Sequence, residues 1–283
     1  MNSSTPLHTT ARNIALCGIT ALLTFAAHSH AAVAIYQDGL PDPFIGGTYV
    51  GTEDAMILDQ GGGTGTDNFG ARDDWEVGSN AAAVRHALLR FNITSMAGQY
   101  TTINSVTLKL TVNYANGAAD TLQLFRFASA NASWVEGTQV GADGIPDPGM
   151  TTWNQRVQGA DNWAGSAGAS TGGTDYLSTA VGSIAFDNSL ANGTLVSITL
   201  TDPTLIDDWV SGDNSGLFLR ALNELPATLS RVDFYSADYT TDPTDRPQLA
   251  IDYEAVPEPA SGLLGMIGTI TLLCRRRRNT RNT

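Results

Sequence analysis

Ser105-Val106-Thr107-Leu108-Lys109-Leu110-Thr111-Val112 alternates without a break: Val106, Leu108, Leu110 and Val112 fall on one side, Thr107, Lys109 and Thr111 on the other. Strict alternation is the signature of a strand with one face buried and one face in water, which antiparallel sheets permit. After the turn signal Asn116-Gly117, residues 121–127 read as another strand. On the N-terminal side, residues 55–58, 75–77 and 87–91 read as strands. On the C-terminal side the same holds for 182–186, 195–200, 216–221, 231–236 and 248–253. One short helix interrupts them, with Asp202 as N-cap, Pro203 in the first turn and Trp209 near its end. Many short strands, turn signals between them and a single short helix predict an all-β fold, a two-sheet β-sandwich of jelly-roll type. Gly61 to Gly65 lacks the Gly-Lys-Ser/Thr ending of a phosphate loop and reads as a turn.

The whole chain has a formal net charge of -13. Over residues 35–254 there are 27 Asp and Glu against nine Lys and Arg, a net of -18. A surface this acidic repels nucleic acid and anionic lipid, and suits calcium, neutral glycans or solubility in a crowded matrix. The two cysteines, Cys17 and Cys274, lie outside that span. The domain is therefore expected to fold without disulfides and to hold no cysteine-ligated zinc.

Both termini carry export signals. Arg12 precedes an apolar run over residues 14–27, followed by the small-residue sites Ser29-His30-Ala31 and Ala32-Val33-Ala34. These are the parts of a secretory signal peptide, assigned to residues 1–34, with a Pro/Gly-rich lead-in over 35–52. At the other end, Val256-Pro257-Glu258-Pro259 leads into an apolar stretch over 263–274 and then Arg275-Arg276-Arg277-Arg278. As a helix, 256–274 would measure roughly 28 Å, near the thickness of a bilayer core, and the arginines would stay on the cytoplasmic side. Residues 255–283 resemble the PEP-CTERM sorting signal of Gram-negative bacteria. The resemblance implies transient insertion in the inner membrane, recognition by an exosortase-type membrane protease, cleavage near Pro257-Glu258-Pro259, and delivery to the cell surface or extracellular matrix.

An ordered series of stretches carries a second resemblance: Ala87-Leu88-Leu89-Arg90-Phe91-Asn92, Trp134-Val135-Glu136, Thr151-Thr152-Trp153-Asn154, Asp208-Trp209-Val210-Ser211-Gly212, Gly216-Leu217-Phe218-Leu219, Phe234-Tyr235-Ser236 and Arg246-Pro247-Gln248-Leu249. In order and spacing, residues 53–254 resemble the DNRLRE-type domain, which is related to the disaggregatase repeat. The resemblance implies a β-sandwich that binds carbohydrate, found alone or attached to polysaccharide-degrading enzymes. Where the family often continues Phe-Tyr-Ser with Arg-Glu, this chain has Ala237-Asp238.

Aromatic side chains are the usual sugar platforms, because an aromatic face stacks on the apolar face of a pyranose. Trp75 (within Asp73-Asp74-Trp75-Glu76) and Trp163 (within Asp161-Asn162-Trp163-Ala164-Gly165) sit among polar neighbours and are the expected platforms; Trp134, Trp153 and Trp209 read as core or loop anchors. Arg72, Arg85 and Arg156 are candidates for contacts to sugar hydroxyls or carboxylates. His86 is the one histidine left once residues 1–34 are removed, and joins the glycan-binding set. Asp73 and Asp74 are the expected ligands of a structural calcium ion, with Glu53, Asp54 and Asp252 as a second grouping. Three functions stay open: non-catalytic polysaccharide binding, which leads; a polysaccharide lyase or hydrolase built on His86 or paired carboxylates; and a purely structural surface protein.

Overall fold

The computed structural model describes residues 30–60, 64–80, 82–141, 145–224 and 228–257. Most of the N-terminal leader, and Glu258, Pro259 and Arg275 to Arg278 of the sorting signal, lie outside the described residues. Among the described residues no helix is long and apolar enough to cross a membrane.

The described residues form eleven strands: β1 (Ala31–Tyr36), β2 (Thr52–Asp59), β3 (Asp74–Asn80), β4 (Ala83–Phe91), β5 (Tyr100–Gly117), β6 (Asp120–Phe127), β7 (Tyr176–Phe186), β8 (Leu195–Leu200), β9 (Leu217–Ala221), β10 (Ser230–Tyr235) and β11 (Gln248–Ala255). One helix, α1 (Leu205–Ser211), stands between β8 and β9. Every ladder between these strands is antiparallel. The all-β expectation therefore holds. Hydrogen bonding links the strands into one sheet, in the order β1-β11-β5-β10-β3-β4-β9-β6-β7, with β2 added on β4 and β8 on β5.

The stretch 105–112 is the middle of a much longer strand. β5 pairs with β11 from Tyr100 to Lys109 and with β10 from Val112 to Gly117, so it runs through both regions of the sheet. Its apolar side, Val106, Leu108, Leu110 and Val112, enters the main core together with Val196, Ile198 and Leu200 of β8 and Leu249 and Ile251 of β11. The opposite face stays wetter, as period-two patterning requires. At full burial each of these side chains contributes about 1.5–3 kcal/mol.

A second, smaller core lies on the other face of β2, β4, β9 and β6. Met56 and Leu58 of β2 point into the main core, while their neighbours Ala55 and Ile57 point into the second, with Leu88, Phe125, Phe127 and Phe218. The described residues among 128–175 cover this face with Trp134, Trp163 and Ala169. The loop-rich middle of the sequence is thus a packed cover. α1 starts later than expected: Thr204, not Asp202, is its N-cap and Pro203 precedes it, while Asp202 accepts the Thr204 backbone N–H at 2.9 Å; Gly212 closes the C-terminus in the left-handed region, and Leu205, Ile206 and Trp209 are buried.

The N-terminal boundary differs from expectation. Ala31 to Tyr36 pairs with β11 over six positions, from Ala31 opposite Glu254 to Tyr36 opposite Leu249, and Ala34 and Tyr36 are buried in the main core. Ala255 N–H donates to the His30 carbonyl at 3.0 Å. Residues 31–34, assigned above to the signal peptide, belong to the folded domain, because without them β11 exposes most of one hydrogen-bonding edge.

Candidate functional site

Three strands, β5, β10 and β3, meet in a register that needs glycine twice. Gly78 on β3 lies opposite Arg231 at a φ of 126°, and a Cβ there would sit 2.0 Å from the Ser230 carbonyl oxygen. Gly117 on β5 lies opposite Ser230 at a φ of 100°, and a Cβ there would sit 2.0 Å from the Leu229 carbonyl oxygen. Only a residue without a side chain permits that backbone approach. A β-bulge where Asp233 passes to Phe234 skips Asn113, so that Tyr114 falls opposite Asp233.

The result is an open groove of about 760 Å³ lined by Asp74, Asn80, Asn113, Tyr114, Asn116 and Arg231, with Asp233 and Leu229 beside them. Tyr114 is 45% exposed, and the Arg231 guanidinium carbon lies 5.3 Å from its ring centre. Arg231 forks onto Asp233 at 2.7 and 2.5 Å and reaches Glu76 at 3.2 Å. Arg72 binds Asp74 at 2.6 Å and Glu76 at 3.2 Å, and Arg85 meets Glu76 at 2.5 Å. Asn113 donates to Asp74 at 2.9 Å, and Asn116 donates to the Tyr114 hydroxyl at 2.8 Å. Three arginines thus balance three carboxylates. Burial pushes Asp233 up to about 6 against the opposing pull of Arg231, and burial lowers Arg85, whose Nη1 has no hydrogen-bond partner among the described residues. An exposed ring flanked by side-chain amides and by fixed donors and acceptors suits a ligand rich in hydroxyl groups.

The expected site residues divide. Arg72, Arg85 and Asp74 come together here, the arginines as part of the charge network at the groove. Trp75 does not join them: it is 1% exposed, on the core side of β3, packed on Phe234 at 5.0 Å. Trp163 is also buried, and its indole N–H donates to the Trp153 carbonyl at 2.9 Å. Neither indole offers a face to a sugar, which corrects their assignment as platforms.

His86 is 1% exposed beneath the cover, with Nδ1 2.7 Å from the Gly168 carbonyl, Nε2 2.8 Å from Glu224, and Trp153 stacked at 5.1 Å. Glu224 in turn binds Arg220 at 2.5 Å, and Arg220 donates to the Tyr176 hydroxyl at 2.8 Å. His86 ties the cover to the sheet and lies outside the groove.

The residues at Asp73–Asp74 do not fit a calcium site. Asp73 is exposed, and both oxygens of Asp74 are taken, one by the Arg72 guanidinium and the other by Asn113. A fixed cation beside the site opposes a second one. The grouping Glu53, Asp54 and Asp252 does not assemble either, because β11 pairs with β1 and β5, while β2 pairs with β4. Glu53 pairs with Arg90, Asp54 accepts the Ala237 N–H at 2.7 Å, and Asp252 accepts from Asn104 at 3.0 Å. Among the described residues no group of three or more His, Cys, Asp and Glu is placed to hold a metal ion.

Tyr114, Arg231, Asn80 and Asn116 were not among the sequence candidates. The available signal was a tyrosine between two asparagines, Asn113-Tyr114-Ala115-Asn116, at the end of the alternating strand. No protein-family model matches the chain, and no curated protein matches it.

Proposed function

We propose that this is an exported surface or matrix protein that binds polysaccharide without altering it, through the groove over β5, β10 and β3. The observation that carries the reading is the half-exposed Tyr114 ring above a charge-balanced, amide-lined groove in a domain that is otherwise strongly acidic. The resemblance of residues 53–254 to DNRLRE-type, disaggregatase-related domains supports it, as does the antiparallel β-architecture, taken as a jelly-roll-like sandwich. The N-terminal leader and the PEP-CTERM-like tail support export, transient insertion in the inner membrane and release by an exosortase-type protease. The surplus of carboxylates argues against nucleic acid as a partner.

Full-length protein on a polysaccharide array tests this. Retention on a glycan without chain shortening is the expected result, and Tyr114→Ala should weaken it by about tenfold, equal to about 1.4 kcal/mol. The substitution removes an exposed ring, so the melting temperature should stay within about 2 °C of the parent. New reducing or unsaturated ends would instead identify a lyase or hydrolase. Retention that survives Tyr114→Ala would place the site elsewhere, and no retention would leave a structural surface protein.

The pairing of β1 with β11 favours the earlier of the two candidate cleavage sites. Cleavage after Ala34 would remove four of the six residues of β1, whereas cleavage after Ala31 removes only its first, exposed residue and leaves Ala34 and Tyr36 in the core. The mature protein is expected to begin at Ala32. N-terminal sequencing of protein from the native host decides it: a start at Ile35 would contradict the role given to β1, and an uncut leader would contradict export by this route.

A further inference from the structure

We infer that the groove is one half of a longer site, that the Tyr235–Tyr239 pair is its second aromatic platform, and that the ligand is an internal stretch of an uncharged linear polysaccharide. The inference rests on the glycan-binding reading of the groove. Side chains two apart on a strand share a face, so Arg231, Asp233 and Tyr235 line up along β10 on the groove side. Tyr235 lies opposite Asp74, itself a groove residue. Asn192 ties the two parts together, donating to the Asn113 carbonyl at 2.7 Å and to the Tyr235 hydroxyl at 3.0 Å. The rings of Tyr235 and Tyr239, both partly exposed, stack at 4.0 Å between centres with 25° between planes, so each covers one face of the other and the pair meets a sugar through a single outer ring face.

Diagonal neighbours on adjacent strands are roughly 7–8 Å apart at Cα. A sugar ring stacked on Tyr114 is therefore not the ring stacked on the Tyr235–Tyr239 pair, and the two platforms take different units of one chain. From Leu229 at one end of the groove to Tyr235 at the other, the strand covers roughly 20 Å at ~3.3 Å per residue. That length accepts several consecutive units lying along β10. Charge selects among such chains. The three arginines of the site are each matched by a carboxylate, so among the described residues of the groove no unpaired cation remains to hold a uronic acid. The net of -18 over residues 35–254 repels a polyanion approaching from solution.

The test uses the full-length protein with oligomer ladders of two to six units cut from cellulose, xylan, mannan and β-1,3-glucan, and a matching ladder from alginate. Affinity for at least one uncharged ladder should rise by about tenfold or more from two to five units. Tyr239→Ala should erase most of that gain while leaving the shortest oligomer and the melting temperature unchanged, and Tyr239→Phe should retain it. If Tyr114→Ala abolishes binding but Tyr239→Ala leaves the length dependence intact, the groove reading stands and the second platform is wrong. Preference for the alginate ladder at low salt would overturn the uncharged ligand. Failure of every ladder to bind would overturn both the inference and the reading beneath it.

Discussion

At pH 9 the protein should be less stable than at pH 5 by about 3 kcal/mol, and Asp54→Asn should remove much of that difference. Asp54 is 2% exposed near the start of β2, and Glu136 is partly buried beside it, accepting the Asp54 backbone N–H at 2.8 Å. Burial pushes both carboxyls up, from ordinary values of 3.8 and 4.5 to about 8. Asp38 and Asp238 raise Asp54 further, Asp238 and Glu53 raise Glu136, and the Ala237 N–H only partly opposes the effect at Asp54. The sign follows from proton counts. Between about pH 4 and pH 8 the folded chain holds protons on these two groups that the unfolded chain has released. Stability therefore falls as pH rises through that window, and is lowest above the folded values. A shift of one unit corresponds to about 1.4 kcal/mol, and the two groups act on each other, so their separate effects do not simply add. Asparagine keeps an acceptor for the Ala237 N–H and cannot ionise. Thermal melts from pH 5 to pH 9 check this: the parent should lose stability across the range and Asp54→Asn should flatten the loss, with Glu136→Gln acting in the same direction. A parent whose stability rises steadily to pH 9 would refute the argument.

Phe218→Ala should cost about 3–5 kcal/mol. Phe218 is fully buried in β9, opposite Leu88 on β4 and Phe125 on β6, and its ring lies 4.7 Å from Tyr176, 4.9 Å from His86 and 5.7 Å from Phe127. It stands at the centre of the smaller core, so its removal should act on the cover before the rest of the sheet. For a domain of this size, 1 kcal/mol corresponds to roughly 2–4 °C, which puts the expected fall in melting temperature near 10 °C. Limited proteolysis should cut first within residues 128–175. A fall below about 3 °C, or first cuts elsewhere, would show that the cover is held by other contacts.

The strands were legible wherever one face met water. β8 alternates with its polar side exposed and lies where the sequence reading put it, while β5 contains the stretch read as a strand but runs past it at both ends, through Asn116 and Gly117 that read as a turn. β1 was not legible, since its Ala31-Ala32-Val33-Ala34 start is as small and apolar as a cleavage site. Trp75 misled for a different reason. Its neighbours Asp74 and Glu76 are polar because successive side chains on a strand point to opposite faces, so their polarity says nothing of the face between them. Tyr114 was hidden by the bulge. Extended through residue 113, the alternation of Thr107, Lys109 and Thr111 would have put Tyr114 on the apolar side, and only pairing with β10 reveals the change of phase. Arg72 and Arg85 were found because charge in an acidic chain is conspicuous, whereas Arg231 was not; the joining of Arg85 and Arg231 at Glu76 depends on contacts between different strands.

The length of β5 has a mechanical consequence. Near its start the chain leaves the domain, with the Val256 N–H bonded to the Gln99 carbonyl at 3.0 Å and Ala255 opposite Tyr100. Tyr114 lies fourteen residues further on, roughly 45 Å along the strand. A load applied between the tail and the groove pulls β11 and β5 in opposite directions along their common axis. That is shear, in which the hydrogen bonds from Gln248 to Ala255 stretch together instead of opening one after another as they do when strands are peeled apart. With its tail held and a polymer in its groove, the domain would resist traction as a lap joint does.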